Sequence, residues 1–105
     1  MDVRLDGKCA MITGGSRGLG LAMAKKFAES GASVAMVSRD AAKLAEAQKE
    51  VSAVAKGKVM VVECDITKPE KLTAMVDSVI SELGRIDILV NNAGSSQRGK
   101  FLSLT

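Results

Sequence analysis

The stretch KCAMITGGSRGLG, residues 8–20, decides the fold that this sequence predicts. It begins with a short apolar run, which predicts a buried strand over residues 8–13 and leads directly into a turn rich in glycine. A stretch with apolar residues at helical spacing follows at residues 18–30 and predicts a helix. A strand that passes through a glycine turn into a helix is typical of the place where parallel α/β sheets bind phosphate groups.

The same alternation of strand and helix repeats along the chain. Three further apolar runs predict strands at residues 33–38, 58–64 and 86–90. The strands are spaced by roughly 25 residues, which leaves room for a crossover helix between parallel strands. The runs are continuous rather than alternating, as expected when helices cover both faces of the sheet. The sequence therefore predicts a Rossmann-type α/β fold, a doubly wound parallel sheet in one domain over residues 1–105.

The predicted helices have recognisable faces and ends. The first carries large apolar residues one turn apart, namely Leu19, Met23 and Phe27. The second runs over residues 40–55, with Asp40 as its N-cap. The third is preceded by Thr67, which stands in capping-box spacing to Glu70, and it ends at Gly84.

The composition narrows the classes of function. The chain has 105 residues, a formal net charge of +3 and no His, Trp or Tyr. The small, dispersed positive charge does not predict a nucleic-acid-binding surface, and the lack of His removes the commonest metal ligand, so no metal site is predicted. Cys9 and Cys64 form no CxxC motif and are expected to be reduced. The longest apolar runs have the length of strands, so no membrane span is predicted and the expected location is the cytoplasm.

The glycine turn is the motif that carries chemistry. Its spacing is Gly-x-x-x-Gly-x-Gly rather than the commoner G-x-G-x-x-G. Gly14 permits the tight turn, Gly18 lets the backbone approach a pyrophosphate, and Gly20 lets the helix pack against the sheet. The same loop contributes three further candidate cofactor-binding residues, Ser16, Arg17 and Leu19. Because free N–H groups at the helix start face the anion, the turn predicts a dinucleotide-binding site.

The end of the second strand predicts which dinucleotide is bound. A carboxylate at this place accepts hydrogen bonds from the adenosine ribose and favours NAD, whereas here Ser38 is followed by Arg39. A hydroxyl and a guanidinium suit the 2′-phosphate of NADP, and Arg17 can approach the same phosphate from the glycine turn. Asp40 leaves an alternative open, because it would be the ribose acceptor if the alignment were shifted by two positions. We prefer Asp40 as the helix cap, so the sequence predicts NADP rather than NAD.

Three motifs follow one another along the chain. They are the Thr13-Gly14-x-x-x-Gly18-x-Gly20 turn, Asp65 just after the third strand, and Asn91-Asn92-Ala93-Gly94 just after the fourth. Together they closely resemble the short-chain dehydrogenase/reductase family, over about residues 7–94. The resemblance implies that Asp65 hydrogen-bonds the adenine amino group, with the backbone of Ile66 beside it. It also implies that Asn91, Ala93 and Gly94 belong to a segment that stabilises the sheet centre and lines the nicotinamide ribose.

The resemblance also implies an activity. Members of this family reduce carbonyls or oxidise alcohols by hydride transfer with a nicotinamide cofactor, so the expected partner is a small-molecule carbonyl or alcohol. The family's serine and its Tyr-x-x-x-Lys pair lie beyond the region that ends at Thr105, and this sequence has no tyrosine. No catalytic residue is therefore expected here. The chain is expected to be the cofactor-binding part of a longer NADP(H)-dependent oxidoreductase and to be inactive alone, with homo-oligomers expected only of the full-length protein.

The resemblance further implies a strand order. The family sheet runs 3-2-1-4-5-6-7, and this chain would hold only 3-2-1-4, without the later strands. The fourth strand would then be an open edge, and residues 101–105 could begin another helix. The second strand would separate Cys9 from Cys64 by about 9–10 Å, which is too far for a disulfide.

One alternative function stays open at this point. The chain could be a non-catalytic module that ends at residue 105 and binds a dinucleotide, or a partner chain along its open strand edge. A reading frame that continues into a Tyr-x-x-x-Lys motif would remove this alternative.

Overall fold

The computed structural model describes residues 5–14, 18–65, 68–91 and 100–103. The strands are β1 (Cys9–Thr13), β2 (Ser33–Ser38), β3 (Val59–Glu63), β4 (Ile88–Asn91) and β5 (Lys100–Ser103). The helices are α1 (Gly18–Glu29), α2 (Ala41–Ser52) and α3 (Pro69–Leu83). Every strand and helix that the sequence predicts up to β4 is present, and the ends differ from the predicted ones by at most three residues.

The five strands form one sheet in the order β3-β2-β1-β4-β5. The first four of these strands are parallel to one another, so the predicted order 3-2-1-4 is confirmed. β1 is buried along its full length, as expected of a central strand covered on both faces. The chain builds the sheet outward from β1 to β3 and then crosses back to add β4 on the other side of β1. In doubly wound sheets, ligands bind outside the carboxyl ends of the strands where the order reverses, which here is between β1 and β4.

The edge beyond β4 differs from the expectation. β5 pairs antiparallel with β4, and Asn91 is opposite Lys100 in this pair. The prediction of an open edge at β4 is therefore wrong. The prediction of a helix at residues 101–105 is also wrong, since residues 101–103 lie in β5. An open edge exposes a row of unpaired N–H and C=O groups, and a chain segment that pairs with it satisfies the groups of both strands.

Two apolar layers cover the two faces of the sheet. On one face, the core between the sheet and helices α1 and α2 contains Ile12, Met36 and Leu44. On the other face, α3 packs against the sheet in a cluster that contains Val37 and Val79. Helices on both sides make this a doubly wound sheet, as predicted.

Helix α1 approaches the sheet through small side chains. Its buried residues are Gly20, Ala24 and Ala28. The large residues predicted for this face lie beside it, because Met23 and Phe27 are only partly buried and Leu19 is 60% exposed. A glycine turn leaves little space between the strand and the following helix, so glycine and alanine fit in the contact where larger side chains do not. The start of α1 is thereby held close to the carboxyl end of β1.

The sequence predicts caps for α2 and α3, and one of them is found. Asp40 is the N-cap of α2, and its Oδ1 accepts a hydrogen bond from the backbone N–H of Lys43 at 3.1 Å. α3 begins at Pro69 with Lys68 as its N-cap, which makes no side-chain cap bond. The prediction of Thr67 as the cap is therefore wrong, and Thr67 itself lies outside the described residues. Proline is favoured at the first helical position, because its φ is fixed and it needs no N–H partner, and this places the cap one residue before it.

Candidate dinucleotide-binding site

The carboxyl ends of β1 to β4 form the candidate site. Gly14 follows β1, Asp65 comes shortly after β3, and Ser38 and Asn91 are the last residues of β2 and β4. These strands are parallel and adjacent, so the four residues lie along one edge of the sheet, spread over about 14 Å at the usual strand spacing. The structure thus brings together, on four neighbouring strands, residues that the sequence predicts for one site.

The glycine turn is tied to the neighbouring strand. The backbone N–H of Gly14 donates to the carbonyl of Val37 at 2.7 Å, which fixes the start of the turn against β2. Gly14 and Gly18 have φ angles of 70° and 61°, a conformation that favours glycine. A Cβ atom on Gly18 would meet no described atom within 4 Å. This open space beside the first N–H groups of a helix suits a phosphate group. Ser16 and Arg17 lie outside the described residues.

The first turn of α1 contributes two of the predicted site residues. Gly20 is buried, as close packing of the helix against the sheet requires. Leu19 is largely exposed in the first turn of the helix. It therefore offers an apolar contact to a ligand at this edge.

The end of β2 leads into the cap of α2. The backbone N–H of Asp40 donates to Oγ of Ser38 at 3.2 Å, while the Asp40 carboxylate accepts the N–H of Lys43. The carboxylate is thus engaged at the start of α2, which argues against the alignment that would place it at the strand end. Ser38 is the last residue of β2, and Arg39 is exposed directly after it. A serine and an arginine therefore stand at the place that reads the ribose in doubly wound sheets.

Asp65 begins the connection from β3 to α3. Its carbonyl accepts a hydrogen bond from the N–H of Lys68 at 3.2 Å. The preceding residue, Cys64, donates its N–H to the carbonyl of Ser38 at 2.9 Å. These two bonds hold Asp65, which is partly buried, beside the end of β2. Ile66, predicted to act with it, lies outside the part of the chain that the structure describes.

Asn91 ends β4 and pairs with Thr13, the last residue of β1. The Thr13 hydroxyl donates to Oδ1 of Asn91 at 3.0 Å and lies 3.3 Å from the carbonyl oxygen of Val90. Thr13 is only 6% exposed, so its hydroxyl is shielded from water and orients the asparagine side chain. Asn91 itself is exposed, and a ligand on this edge can contact its amide. Ala93 and Gly94, predicted for the same segment, lie outside the described residues.

A second polar network lies at the amino ends of β1 and β4, opposite the candidate site, and the sequence did not predict it. Asp87, 3% exposed, precedes β4, and its Oδ2 accepts the N–H of Cys9 at 2.8 Å. Its own N–H donates to the Cys9 carbonyl, also at 2.8 Å. The guanidinium of Arg85 contacts Oδ1, with Nε at 2.7 Å and Nη2 also bonded to it. The sequence signal was a charged residue inside the apolar run at residues 86–90.

This network shifts the pKa values of Asp87 and Cys9. Burial alone would raise the pKa of Asp87. Hydrogen bonds from the Cys9 amide and from Arg85, with the positive charges of Arg85 and Lys8, nevertheless hold that pKa below its usual range. Burial raises the pKa of the Cys9 thiol, and the negative charge of Asp87 adds to the effect. Cys9 and Cys64 are both free and buried. Cys9 therefore remains a thiol at neutral pH and is a poor nucleophile.

Two other kinds of site are not found where the structure describes the chain. Residues 5–14, 18–65, 68–91 and 100–103 contain no group of three or more His, Cys, Asp or Glu residues placed to hold a metal ion. Among the described helices, none combines the length and the apolar character that crossing a membrane requires.

Comparison with known proteins places the chain in a family. The family model for short chain dehydrogenases matches residues 8–105. The 7alpha-hydroxysteroid dehydrogenase of Escherichia coli (strain K12) is 44% identical over 93 residues, which are 89% of this chain and 36% of that protein.

Solved structures give the same result. L-Sorbose reductase from Gluconobacter frateurii, complexed with NADPH and L-sorbose, is 43% identical with a TM-score of 0.84, over 92% of this chain and 37% of the reductase. NAD+-bound xylitol dehydrogenase is 34% identical with a TM-score of 0.82, over 86% of this chain and 34% of the dehydrogenase. The chain thus spans little more than a third of each of these relatives. Sequence, fold and the arrangement of the glycine turn agree that this chain belongs to the short-chain dehydrogenase family.

Proposed function

We propose that this chain supplies the cofactor-binding part of an NADP(H)-dependent oxidoreductase, which reduces carbonyls or oxidises alcohols by hydride transfer. The observation that carries the proposal is the row formed by the glycine turn, Ser38, Asp65 and Asn91 at the carboxyl edge of four adjacent strands. Ligands of doubly wound sheets bind outside the carboxyl ends of the strands, where the strand order reverses. In this chain the order reverses between β1 and β4.

The glycine turn and the start of α1 are proposed to hold the pyrophosphate. The first N–H groups of a helix have no partner within the helix and carry the positive end of its dipole. The open space at Gly18 lets phosphate oxygens approach these groups. Ser16 and Arg17 join the proposed contacts because of their place in the motif, and Leu19 adds its exposed apolar surface.

Ser38 and Arg39 support NADP over NAD. An arginine guanidinium pairs with phosphate through two parallel N–H donors, and a serine hydroxyl can donate a further bond. A preference for NAD would call for a carboxylate at the end of β2, and the one that follows β2 in the sequence, on Asp40, is bound as the cap of α2. The solved relatives contain both NADPH and NAD+, so the proposed preference rests on these residues of this chain.

We propose that the adenine and the nicotinamide of the cofactor bind at opposite ends of this row of residues, the adenine near β3 and the nicotinamide near β4. Asp65, with the backbone of Ile66, is proposed to accept a hydrogen bond from the adenine amino group at the β3 side. Asn91, Ala93 and Gly94 are proposed to line the nicotinamide ribose at the β4 side. When bound, the nicotinamide ring supplies or accepts the hydride, and the residues of this chain orient it.

We assign no catalytic role to the residues of this chain. Its sequence has no Tyr and no His, and Cys9 lies at the edge opposite the site. The proton-transfer groups are proposed to come from the part of the relatives that this chain does not span. The proposed substrate is a small-molecule carbonyl or alcohol, since the relatives include a hydroxysteroid dehydrogenase, a sorbose reductase and a xylitol dehydrogenase. The alternative of a non-catalytic module has no observation of its own in its favour.

Calorimetric titration of the chain with NADPH and NADH tests the proposal. We expect tighter binding of NADPH, because only NADPH carries the 2′-phosphate that Arg39 can pair with. Adenosine 2′,5′-bisphosphate and AMP are matched smaller probes, and we expect the same order between them. Equal or tighter binding of NADH would contradict the preference for NADP. If none of these nucleotides binds, the proposal that this chain forms the binding edge is wrong.

A further inference from the structure

The described residues contain two buried polar side chains, and both belong to the same pair of strands. They are Thr13, at the carboxyl end of β1, and Asp87, just before the amino end of β4. Thr13 bonds to Asn91 across the pair, and Asp87 bonds to Cys9 across the same pair. The contact between β1 and β4 is therefore held by a polar side chain at each end.

The hydrogen bond that the Asp87 carboxylate accepts replaces one backbone hydrogen bond between β1 and β4. In a parallel ladder, the N–H and C=O of one residue bond to two residues that lie two positions apart on the neighbouring strand. In the register that pairs Ala10 with Ile88, these would be Ile86 and Ile88 for Cys9. The Cys9 carbonyl accepts the Asp87 N–H at 2.8 Å, and the Cys9 N–H bonds to the Asp87 carboxylate, also at 2.8 Å, rather than to the Ile86 carbonyl. The first regular pair, Ala10 with Ile88, follows immediately.

The apolar residues of β4 do not by themselves fix its register. Ile88 and Val90 lie on the same face of the sheet, in the core beneath α1 and α2. A slip by one residue would exchange the two faces, but a slip by two residues would put one of these similar side chains in the place of the other. Such a slip would leave Thr13 without Asn91 opposite it.

The buried carboxylate of Asp87 prevents such slips in the register of β4. Its side chain is only 4% exposed, whereas that of Arg85 is 56% exposed, so the guanidinium can remain hydrated while it neutralises the carboxylate. In any other register the carboxylate would lose the Cys9 donor and remain buried with one oxygen unsatisfied, which is strongly unfavourable. Buried polar groups that select one register are known from other folds.

We infer that Asp87 is a positioning residue, which sets the register of β4 on β1 and thereby places Asn91 beside Thr13 at the cofactor edge, four residues away along the strand. The part of the inference that concerns the cofactor rests on the proposed function. The part that concerns the register stands on the hydrogen bonds alone.

Three variants of the isotopically labelled chain separate this role from general stability. Asp87→Ala removes the acceptor, and Asp87→Asn keeps an oxygen in the same place. Val51→Ala is the matched control, because Val51 is fully buried at the end of α2 that lies away from the cofactor edge. Nuclear Overhauser contacts between β1 and β4 report the register without any nucleotide. NADPH titration then reports the effect on the site, at a temperature where all variants are folded.

We expect Asp87→Ala to lose the contacts between Thr13 and Asn91 and to bind NADPH roughly tenfold more weakly, since a misplaced Asn91 would lose about one hydrogen bond to the cofactor. Asp87→Asn should retain both properties. Val51→Ala should retain both despite its lower melting temperature. Should Asp87→Ala not fold, Asp87→Glu carries the same expectation, because one more methylene moves the carboxylate away from the Cys9 N–H.

Two results would overturn the inference. One is an intact register with unchanged NADPH affinity in Asp87→Ala. The other is an equal loss of affinity in Val51→Ala, which would make general destabilisation the cause. If the unsubstituted chain binds no NADPH, the proposed function fails, and the contacts between Thr13 and Asn91 still decide whether Asp87 sets the register.

Discussion

Thr13 and Asn91 lie opposite each other at the ends of β1 and β4, and the hydroxyl of Thr13 is 3.0 Å from Oδ1 of Asn91. This bond joins the two strands between which the strand order reverses. Gly14 follows Thr13 directly, so the same residue connects the start of the glycine turn with the end of β4. This buried hydroxyl therefore links the proposed pyrophosphate contacts to the proposed nicotinamide contacts.

Replacing Thr13 by Val keeps the shape of the side chain and removes this hydroxyl. We expect a loss of about 1 kcal/mol in the free energy of unfolding, the usual contribution of one hydrogen bond. We also expect weaker NADPH binding, because the Asn91 side chain loses its orienting partner. Urea denaturation and calorimetry measure the two effects. Thr73→Val makes the same chemical change at an exposed position on α3 and should alter neither. A fully stable Thr13→Val variant would show that the hydroxyl is not needed.

Arg39→Asp tests the proposed contact with the 2′-phosphate. A hydrogen bond to a charged group contributes about 1.5–3 kcal/mol, so we expect NADPH binding to weaken by about tenfold or more. NADH binding should improve, because the new carboxylate can accept bonds from the ribose hydroxyls. Lys49→Asp places the same change of charge in the last turn of α2, and it should leave the ratio of the two affinities unchanged. An equal fall in both affinities for Arg39→Asp would contradict the assigned contact.

Asp40→Ala separates the two roles considered for this carboxylate. Loss of an N-cap costs about 0.5–2 kcal/mol, so the free energy of unfolding should fall by this amount, and Asp40→Asn should restore most of it. The preference for NADPH over NADH should stay the same in both variants, because the cap bond to Lys43 engages the carboxylate. A selective loss of NADH affinity would instead assign Asp40 to the ribose.

The depressed pKa of Asp87 predicts how stability depends on pH. An unfolded aspartate titrates at about 3.9, so ionised Asp87 stabilises the folded chain above that pH, and this stabilisation is lost as the pH falls through the lower pKa of the folded state. The groups that act on the carboxylate are the charges of Arg85 and Lys8 and the N–H of Cys9. We therefore expect the stability difference between the unsubstituted chain and Asp87→Asn to be largest near neutral pH and to shrink below about pH 4.

Urea denaturation at several pH values measures this difference. Asp77→Asn, an exposed change on α3, serves as the control and should show little pH-dependent difference. A difference for Asp87→Asn that is as large in acid as at neutral pH would contradict the assignment of the depressed pKa to this carboxylate.

The features that the sequence predicts correctly depend on residues that are close together in the sequence. The glycine turn, the strand that precedes it and the Asp40 cap are each decided within a few positions of the chain. The order 3-2-1-4 came from the family resemblance, and the pairing of β1 with β2 and β4 agrees with it. The residues of the candidate site could be placed on one edge because parallel strands end together.

The features that the sequence does not predict depend on distant contacts. β4 begins at Ile88, two residues later than predicted, because the side chain of Asp87 bonds to Cys9 from the other end of the chain. The contact face of α1 is formed by small residues, since the distance to the sheet, rather than hydrophobicity, decides which side chains fit. β5 forms where β4 offers free backbone groups, a property that no local pattern in residues 101–105 reports.

The order of the strands also predicts which parts of the site form first during folding. β1 pairs with β2 across a single intervening helix, whereas the bond between Thr13 and Asn91 joins residues 78 positions apart. Closing a longer loop costs more chain entropy, and long-range pairs slow folding. We therefore expect β1, β2 and the glycine turn to form before β4 docks. Pulsed hydrogen exchange should protect the amides of β2 earlier than those of β4, and the reverse order would rule this out. A chain midway through folding would thus hold the proposed phosphate-binding turn before it has the proposed place for the nicotinamide.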